Sequence, residues 1–149
     1  MSRPSRLARP QPQNWDIAQL PGLSQQDHRL LLSCGIQTTQ QLLQRTRTAV
    51  QRQALASQLQ VHLQWVNKWV ALANLAQIPA VGCQYCGLLL HAGISAPTQL
   101  AETPVSRLHQ QMLKLHVAMM QRPDLCPRLE QVAQWVEQAR WLNQSEQTN

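Results

Sequence analysis

Apolar positions along the chain recur at i, i+3, i+4 and i+7, not in alternation, and the stretches that carry this spacing are separated by Pro, Gly, Ser and Thr. The pattern predicts a series of helices. Trp15 to Leu20 is a lead-in segment bringing Trp15, Ile17 and Leu20 to the body, and Pro21-Gly22 turns the chain. Ser24 has the chemistry of an N-cap with Asp27 three residues on, and the helix it opens should run to about Cys34 and stop at Gly35. Thr38 or Thr39 starts a second short helix through Leu42 and Leu43. Thr48 opens a third that carries Val50, Ala54, Leu55 and Leu59. Val61 to Ala76 is expected to be the longest and most apolar helix, with Trp65, Trp69, Leu72 and Ala76 on one stripe and Val66, Val70 and Ala73 flanking it. A helix so widely apolar should lie centrally, packed on both sides.

The pattern then repeats. Leu20 to Ile36 and Ile78 to Ile94 have the same form, a tight corner running into a short helix that ends in Gly-Ile. At a constant offset of 58, residues 21–43 and 79–101 are identical at nine of 23 positions: Pro21/Pro79, Gln26/Gln84, Leu30/Leu88, Leu31/Leu89, Leu32/Leu90, Gly35/Gly93, Ile36/Ile94, Gln41/Gln99 and Leu42/Leu100. This is a duplication, and a unit too small to bury its own apolar face can bury it against its twin. Pro97 and Pro104 suit the first turns of the next two helices. The second of these carries Leu108, Met112, Leu115 and Met119, and the offset extends the match through Val50/Leu108, Leu55/Leu113 and Leu59/Val117. A loop is expected over Arg122 to Pro127. A final helix over about 128–142 would place Leu129, Val132, Ala133, Val136 and Ala139 on one side, ahead of a frayed polar tail over 143–149.

At 149 residues, with no Phe, one Tyr and five Trp, the chain has the length of one domain and a core of aliphatic residues anchored by tryptophan. The reading is a disordered basic arm over 1–14, then a single helical domain over 15–142 with repeats at about 17–77 and 78–121. The formal charge of +6 resides in residues 1–70, where eight cations face Asp16 and Asp27, whereas residues 71–149 balance five cations with five acids. A basic half beside a neutral half is the footprint of a polyanion-binding surface. Trp69 to Val81 is interrupted by Asn74, Gln77 and Pro79, so no membrane span is expected. Arginines without an apolar stretch at the N-terminus do not make a secretory signal, and four cysteines in that setting fit a reducing, cytoplasmic environment with free thiols.

Pro-Gly-apolar-Ser and Pro-Ala-apolar-Gly, each before a short helix with a Leu cluster and a Gly-Ile ending, resemble the helix-hairpin-helix motif. The tandem arrangement over about Ile17 to Gln121 looks like the domain of unknown function family numbered 4332. The resemblance implies an all-α, duplicated helix-hairpin-helix (SAM-like) domain. Helix-hairpin-helix proteins hold a nucleic-acid backbone through glycine-permitted close approach and helix N-terminal amides, without reading sequence. By that analogy Gly22, Leu23 and Ser24 of the first copy, and Val81 and Gly82 of the second, are the contact positions. Both copies lack one of the motif's usual two glycines, with Ser24 in place of the second and Ala80 in place of the first. Arg29 lies on the first copy's own helix, and Arg45, Arg47 and Arg52 follow closely enough to extend a track, whereas no cation falls between Lys68 and Arg107. Interleaved aromatics for stacking on bases are missing, which favours sequence-tolerant backbone binding.

Cys83 and Cys86, spaced i, i+3 at a helix start where the dipole would lower a thiol pKa, could join Cys126 and Cys34 in a four-cysteine zinc or iron–sulfur site. No second C-x-x-C supplies the familiar spacing, and buried Cys often only fills apolar space, so no cofactor is expected. His28, His62, His91, His109 and His116 are scattered. Seven carboxylates form no acid pair, and neither a phosphate-cradling glycine loop nor a nucleophile elbow is present, so the chain is read as non-catalytic. The expected function is sequence-tolerant nucleic-acid binding by the first copy. The alternative is a protein-interaction or scaffold module using exposed Trp65, Trp135 or Trp141. The particular partner and the oligomeric state are left open.

Overall fold

The threonine and serine starts read from the sequence become real caps. In the computed structural model, which describes residues 11–120 and 127–147 (side chains for 11–115 and 127–143), Ser24 Oγ accepts from the Asp27 amide and opens helix α1, Gln25–Ser33. Thr38 and Thr48 each close a reciprocal capping box, with Gln41 and Gln51, at the starts of α2, Thr39–Gln44, and α3, Ala49–Leu59. Gln60 ends α3 in the left-handed region at φ 59°. Then follow α4 (Leu63–Ala76), α5 (Gly82–His91), α6 (Pro97–Glu102), α7 (Val105–Met120) and α8 (Leu129–Gln147). Among the described residues there are eight α-helices, one 3-10 turn at Ile17–Gln19 and no strand; a single isolated bridge pairs Asp16 with Thr38. The protein is all-α, and no helix among the described residues is long and apolar enough to cross a membrane.

Helix α4 is central as its pattern predicted, burying Val66, Trp69, Val70, Leu72, Ala73, Leu75 and Ala76 and packing on α2, α3 and α5. It is not the longest, however; α7 and α8 exceed it. Helix α8 lies along α6 and α7, so the second half closes on the C-terminal helix. One continuous core joins the halves, with Ile17, Leu31, Ile36, Leu42 and Leu55 on one side, Leu89, Leu100, Leu108, Val132 and Trp135 on the other, and Trp69, Leu72 and Leu75 between.

Corresponding residues of the two corners behave alike. Gly35 and Gly93 both have positive φ, 83° and 93°. The amides of Ile36 and Ile94 donate to Leu31 O and Leu89 O, both at 3.0 Å, and Leu31/Leu89, Ile36/Ile94 and Leu42/Leu100 are all buried. The match does not continue through the third helix. Val50 is 78 % exposed whereas Leu108 is buried, and Leu55 is 2 % exposed against 39 % for Leu113. The reason is that α3 packs on α4 while α7 packs on α8, so equivalent positions turn to different neighbours.

Three boundaries shift. The ordered body begins before Trp15: the Gln13 amide donates to Gln77 O at 2.8 Å, and Asn14 Oδ1 accepts from the Gln40 amide at 3.0 Å, so the described part of the arm is tied down. Residues 1–10 and the expected loop from Arg122 as far as Cys126 lie outside the described residues. At the other end α8 continues to Gln147, five residues beyond the expected stop, because Asn143 to Gln147 contains neither Gly nor Pro to end it. Leu129, placed on the buried side by its spacing, is 46 % exposed in the first turn of that helix.

Candidate functional site

The two corners share a sequence form but spend their backbone groups differently. At the first, Gly22 is exposed with φ 76°, and Leu23 anchors the turn by packing against the core. The amides of Gly22 and Ser24 donate to no acceptor among the described residues, and the first-turn amides of α1 at Gln25 and Gln26 have no intrahelical partner. Lys68, reaching across from α4, brings its Nζ to 3.7 Å from where a Gly22 Cβ would stand. The same ammonium lies 5.5 Å from the ring centroid of Trp65, which is 40 % exposed. The corner is therefore an exposed glycine turn with unspent amides, a cation and an aromatic face.

At the second corner the turn amides are taken up, although those of Cys83 and Gln84 in the first turn of α5, like those of Gln25 and Gln26 in α1, have no intrahelical partner. The amides of Val81 and Gly82 both donate to Ile78 O at 2.9 Å, and the Ala80 amide donates to Gln138 Oε1 at 2.7 Å. Trp135 Nε1 donates to Ala80 O at 3.1 Å, and Trp15 Cζ2 is 3.1 Å from a Gly82 Cβ position. Val81 and Gly82 are buried. The positive φ of Gly82, 55°, admits the Trp15 ring, not a ligand. The Val81 and Gly82 amides expected to meet phosphate thus donate inside the protein; the sequence pattern located the turn but not the tryptophans that cover it.

The arginines also divide. Arg29 is exposed on α1. Arg45 is exposed but engaged, Nη1 donating to Cys34 O at 2.7 Å and Nη2 to Gln58 Oε1 at 3.3 Å, so it ties the end of α1 to α3. Arg47 and Arg52 line a cleft of about 630 Å³ with Pro12, Gln13, Asn14, Gln40, Leu43, Gln44, Thr46, Val70, Asn74 and Gln77. At about 100° per residue, Val70 and Lys68 point about 160° apart around α4. The first corner and the arginine cleft thus lie on opposite sides of that helix. Lys68 and Trp65 carried no sequence signal for the corner, since Lys68 and Gly22 are 46 residues apart in the chain.

Among the described residues the cysteines do not assemble: no three His, Cys, Asp or Glu side chains form a group that could hold a metal ion, so Cys34, Cys83 and Cys86 are not joined as ligands, and Cys126 lies outside the described residues. The expected dipole-lowered thiol is reversed as well. Burial, with the neighbouring Cys83 adding to it, pushes Cys86 up to about 12, and burial raises Cys83. Trp135, expected as an exposed partner-binding residue, is 1 % exposed; Trp65 and Trp141 are exposed.

The chain is thus a small all-α domain with one covered and one open glycine corner. A family model described as Domain of unknown function (DUF4332) matches residues 21–142, and the chain belongs to that family. No curated protein and no solved structure matches the chain.

Proposed function

We propose that this is a non-catalytic module, built as a duplicated helix-hairpin-helix body, that grips a nucleic-acid backbone at its first corner alone. The duplication is supported by the matched glycine conformations and matched amide-to-carbonyl bonds after α1 and α5. The observation that carries the function is the contrast between the corners: exposed, unspent amides beside Lys68 at Gly22, against amides spent inside the protein at Gly82. Phosphate oxygens meet the Gly22 and Ser24 amides and the positive end of α1, Lys68 supplies the counter-charge, and Arg29 extends it. The cation–π contact holds the ammonium near the corner. Such contacts position a backbone and read no base edge, so binding is sequence-tolerant.

The test is fluorescence anisotropy of labelled single- and double-stranded DNA and RNA across a salt series. Wild-type affinity should fall steeply with salt, and Lys68→Ala should weaken binding while reducing the log–log salt slope by about 0.7–0.9. Binding that is insensitive to salt, or unchanged in Lys68→Ala, sinks the reading. Capture of a protein partner that depends on Trp65 while no nucleic acid binds would favour the interaction-module alternative, for which the exposed Trp65 and Trp141 are the supporting observation.

A further inference from the structure

The cleft on the far side of α4 has its own chemistry. It lies between the segment Pro12 to Asn14, helix α2, the loop that carries Thr46 and Arg47, the Arg52 turn of α3 and the C-terminal end of α4. Its volume of about 630 Å³ falls within the span of small-molecule sites. Its lining departs from the usual apolar one: among the described residues Leu43 and Val70 are the large apolar ones, and the remainder is dominated by carboxamides and two guanidinium groups, with no carboxylate. A cavity that concentrates cationic donors and excludes acids favours an anionic occupant.

The walls are held in place. Arg52 Nη1 donates to Thr46 O at 3.2 Å, which fixes the guanidinium while leaving its other N–H groups to the cleft. Thr46 is buried and its hydroxyl donates to Leu42 O at 2.7 Å, so the loop that carries Arg47 is anchored on α2. Gln77 Nε2 donates to Asn74 Oδ1 at 3.1 Å, an arrangement that leaves Gln77 Oε1 and the Asn74 amide nitrogen for a ligand. Gln40 and Gln44 stand one turn apart on α2 and add two more carboxamides. Two planar guanidinium forks suit a dianionic phosphate better than a single carboxylate. Carboxamides, offering donor and acceptor side by side, match the polar edge of a nucleobase.

The geometry points to a mononucleotide site in this cleft, with the phosphate monoester on Arg47 and Arg52 and the base edge on the carboxamides of α2 and α4. The same chemistry is presented by a free 5′-mononucleotide and by the 5′-phosphorylated end of a strand. The site is separate from the glycine corner, and its existence does not depend on the corner binding anything.

The experiment is isothermal titration of the full chain with the four 5′-mononucleotides, their nucleosides and inorganic phosphate. At least one mononucleotide should bind with Kd below about 1 mM, and its nucleoside and inorganic phosphate should each bind at least ~10-fold more weakly. Arg47→Ala and Gln44→Glu, both at exposed positions that keep the fold, should each weaken that binding at least ~5-fold, the second by placing a negative charge in the cleft. Competition by an oligonucleotide bearing a 5′-phosphate, and not by its 5′-hydroxyl counterpart, identifies a strand end as the source; absence of such competition identifies the free nucleotide. No mononucleotide binding up to about 10 mM, equal binding of nucleoside or inorganic phosphate, or indifference to both substitutions overturns the site. Lys68→Ala distinguishes the two proposals: loss of strand binding with mononucleotide binding kept leaves both standing, and loss of mononucleotide binding in that variant overturns the cleft.

Discussion

Trp69 and Trp135 are both fully buried, yet they meet their surroundings in opposite ways. Trp135 Nε1 donates to Ala80 O and its ring lies 5.0 Å from that of Tyr85, centroid to centroid, whereas Trp69 Nε1 is a buried donor with no partner among the described residues. A buried unpaired N–H costs about 1–3 kcal/mol. Replacing Trp69 by Phe removes that cost while forfeiting some packing; replacing Trp135 by Phe forfeits similar packing and strands the Ala80 carbonyl. Trp135→Phe is therefore expected to destabilise by about 2 kcal/mol more than Trp69→Phe, read from urea denaturation followed by far-UV circular dichroism. Equal losses would mean that the two donors are equally well served. Cys86 makes a second residue-scale case. Its folded pKa, raised from 9.0 to about 12, means that below pH 9 both folded and unfolded chains hold the proton. Between those values the unfolded chain releases it first, so stability falls as pH rises. Cys86→Ala should flatten the decline in unfolding midpoint between about pH 9 and about pH 12, and an unchanged slope would contradict it. Neither distinction was legible in the sequence, where five tryptophans and a C-x-x-C look alike until the packing decides which N–H finds a carbonyl and which sulfur loses water.

At the scale of elements, much of the helical order was legible because the start and stop signals are local. Ser24, Thr38 and Thr48 cap within four residues of themselves, and Gly35 and Gly93 stop their helices through a backbone conformation that only their own residue type adopts cheaply. The corners were located by the same signals, but their roles were not, since what covers or charges them comes from distant segments: Trp15 and Gln138 at one, Lys68 at the other. This difference can be read by substituting alanine at each corner glycine. Both positions carry left-handed φ, which costs a non-glycine residue about 1–2 kcal/mol. At Gly22 the added Cβ meets only the flexible end of Lys68 at 3.7 Å, whereas at Gly82 it meets the Trp15 ring at 3.1 Å. That ring is held by Nε1 donating to Ala76 O at 2.8 Å, so it has little room to give. Gly82→Ala should therefore cost at least about 1 kcal/mol more than Gly22→Ala in denaturant titration. Equal costs would mean that the ring yields freely and that the second corner is less tightly closed than its contacts imply.

Over the whole molecule the consequence is mutual dependence of the halves. Trp15, from the start of the described chain, supports the second corner, and Pro21 of the first corner packs at 3.4 Å from a Gly87 Cβ position on α5. Helix α4 contributes to the packing of both halves, and α8 returns to brace Ala80 through Trp135 and Gln138. Duplication in the sequence suggested units sharing a core, and the buried cluster runs without a break from Ile17 to Leu142. With each half closing the other's apolar face, no part retains a complete core when its neighbour opens. Unfolding should accordingly be one cooperative transition, with tryptophan fluorescence and far-UV circular dichroism tracing coincident curves in urea. A chain ending after Ala76 should show neither a cooperative transition nor the native helical signal, because it leaves Leu72 and Leu75 without Leu89 and the rest of the second half. Two separated transitions, or a cooperatively folding fragment, would instead make each copy a domain in its own right. The outcome bears on function through α4: a single cooperative body holds Lys68 on one side of that helix and Asn74 towards the cleft in fixed relation, so the glycine corner and the cleft are presented by the same rigid element.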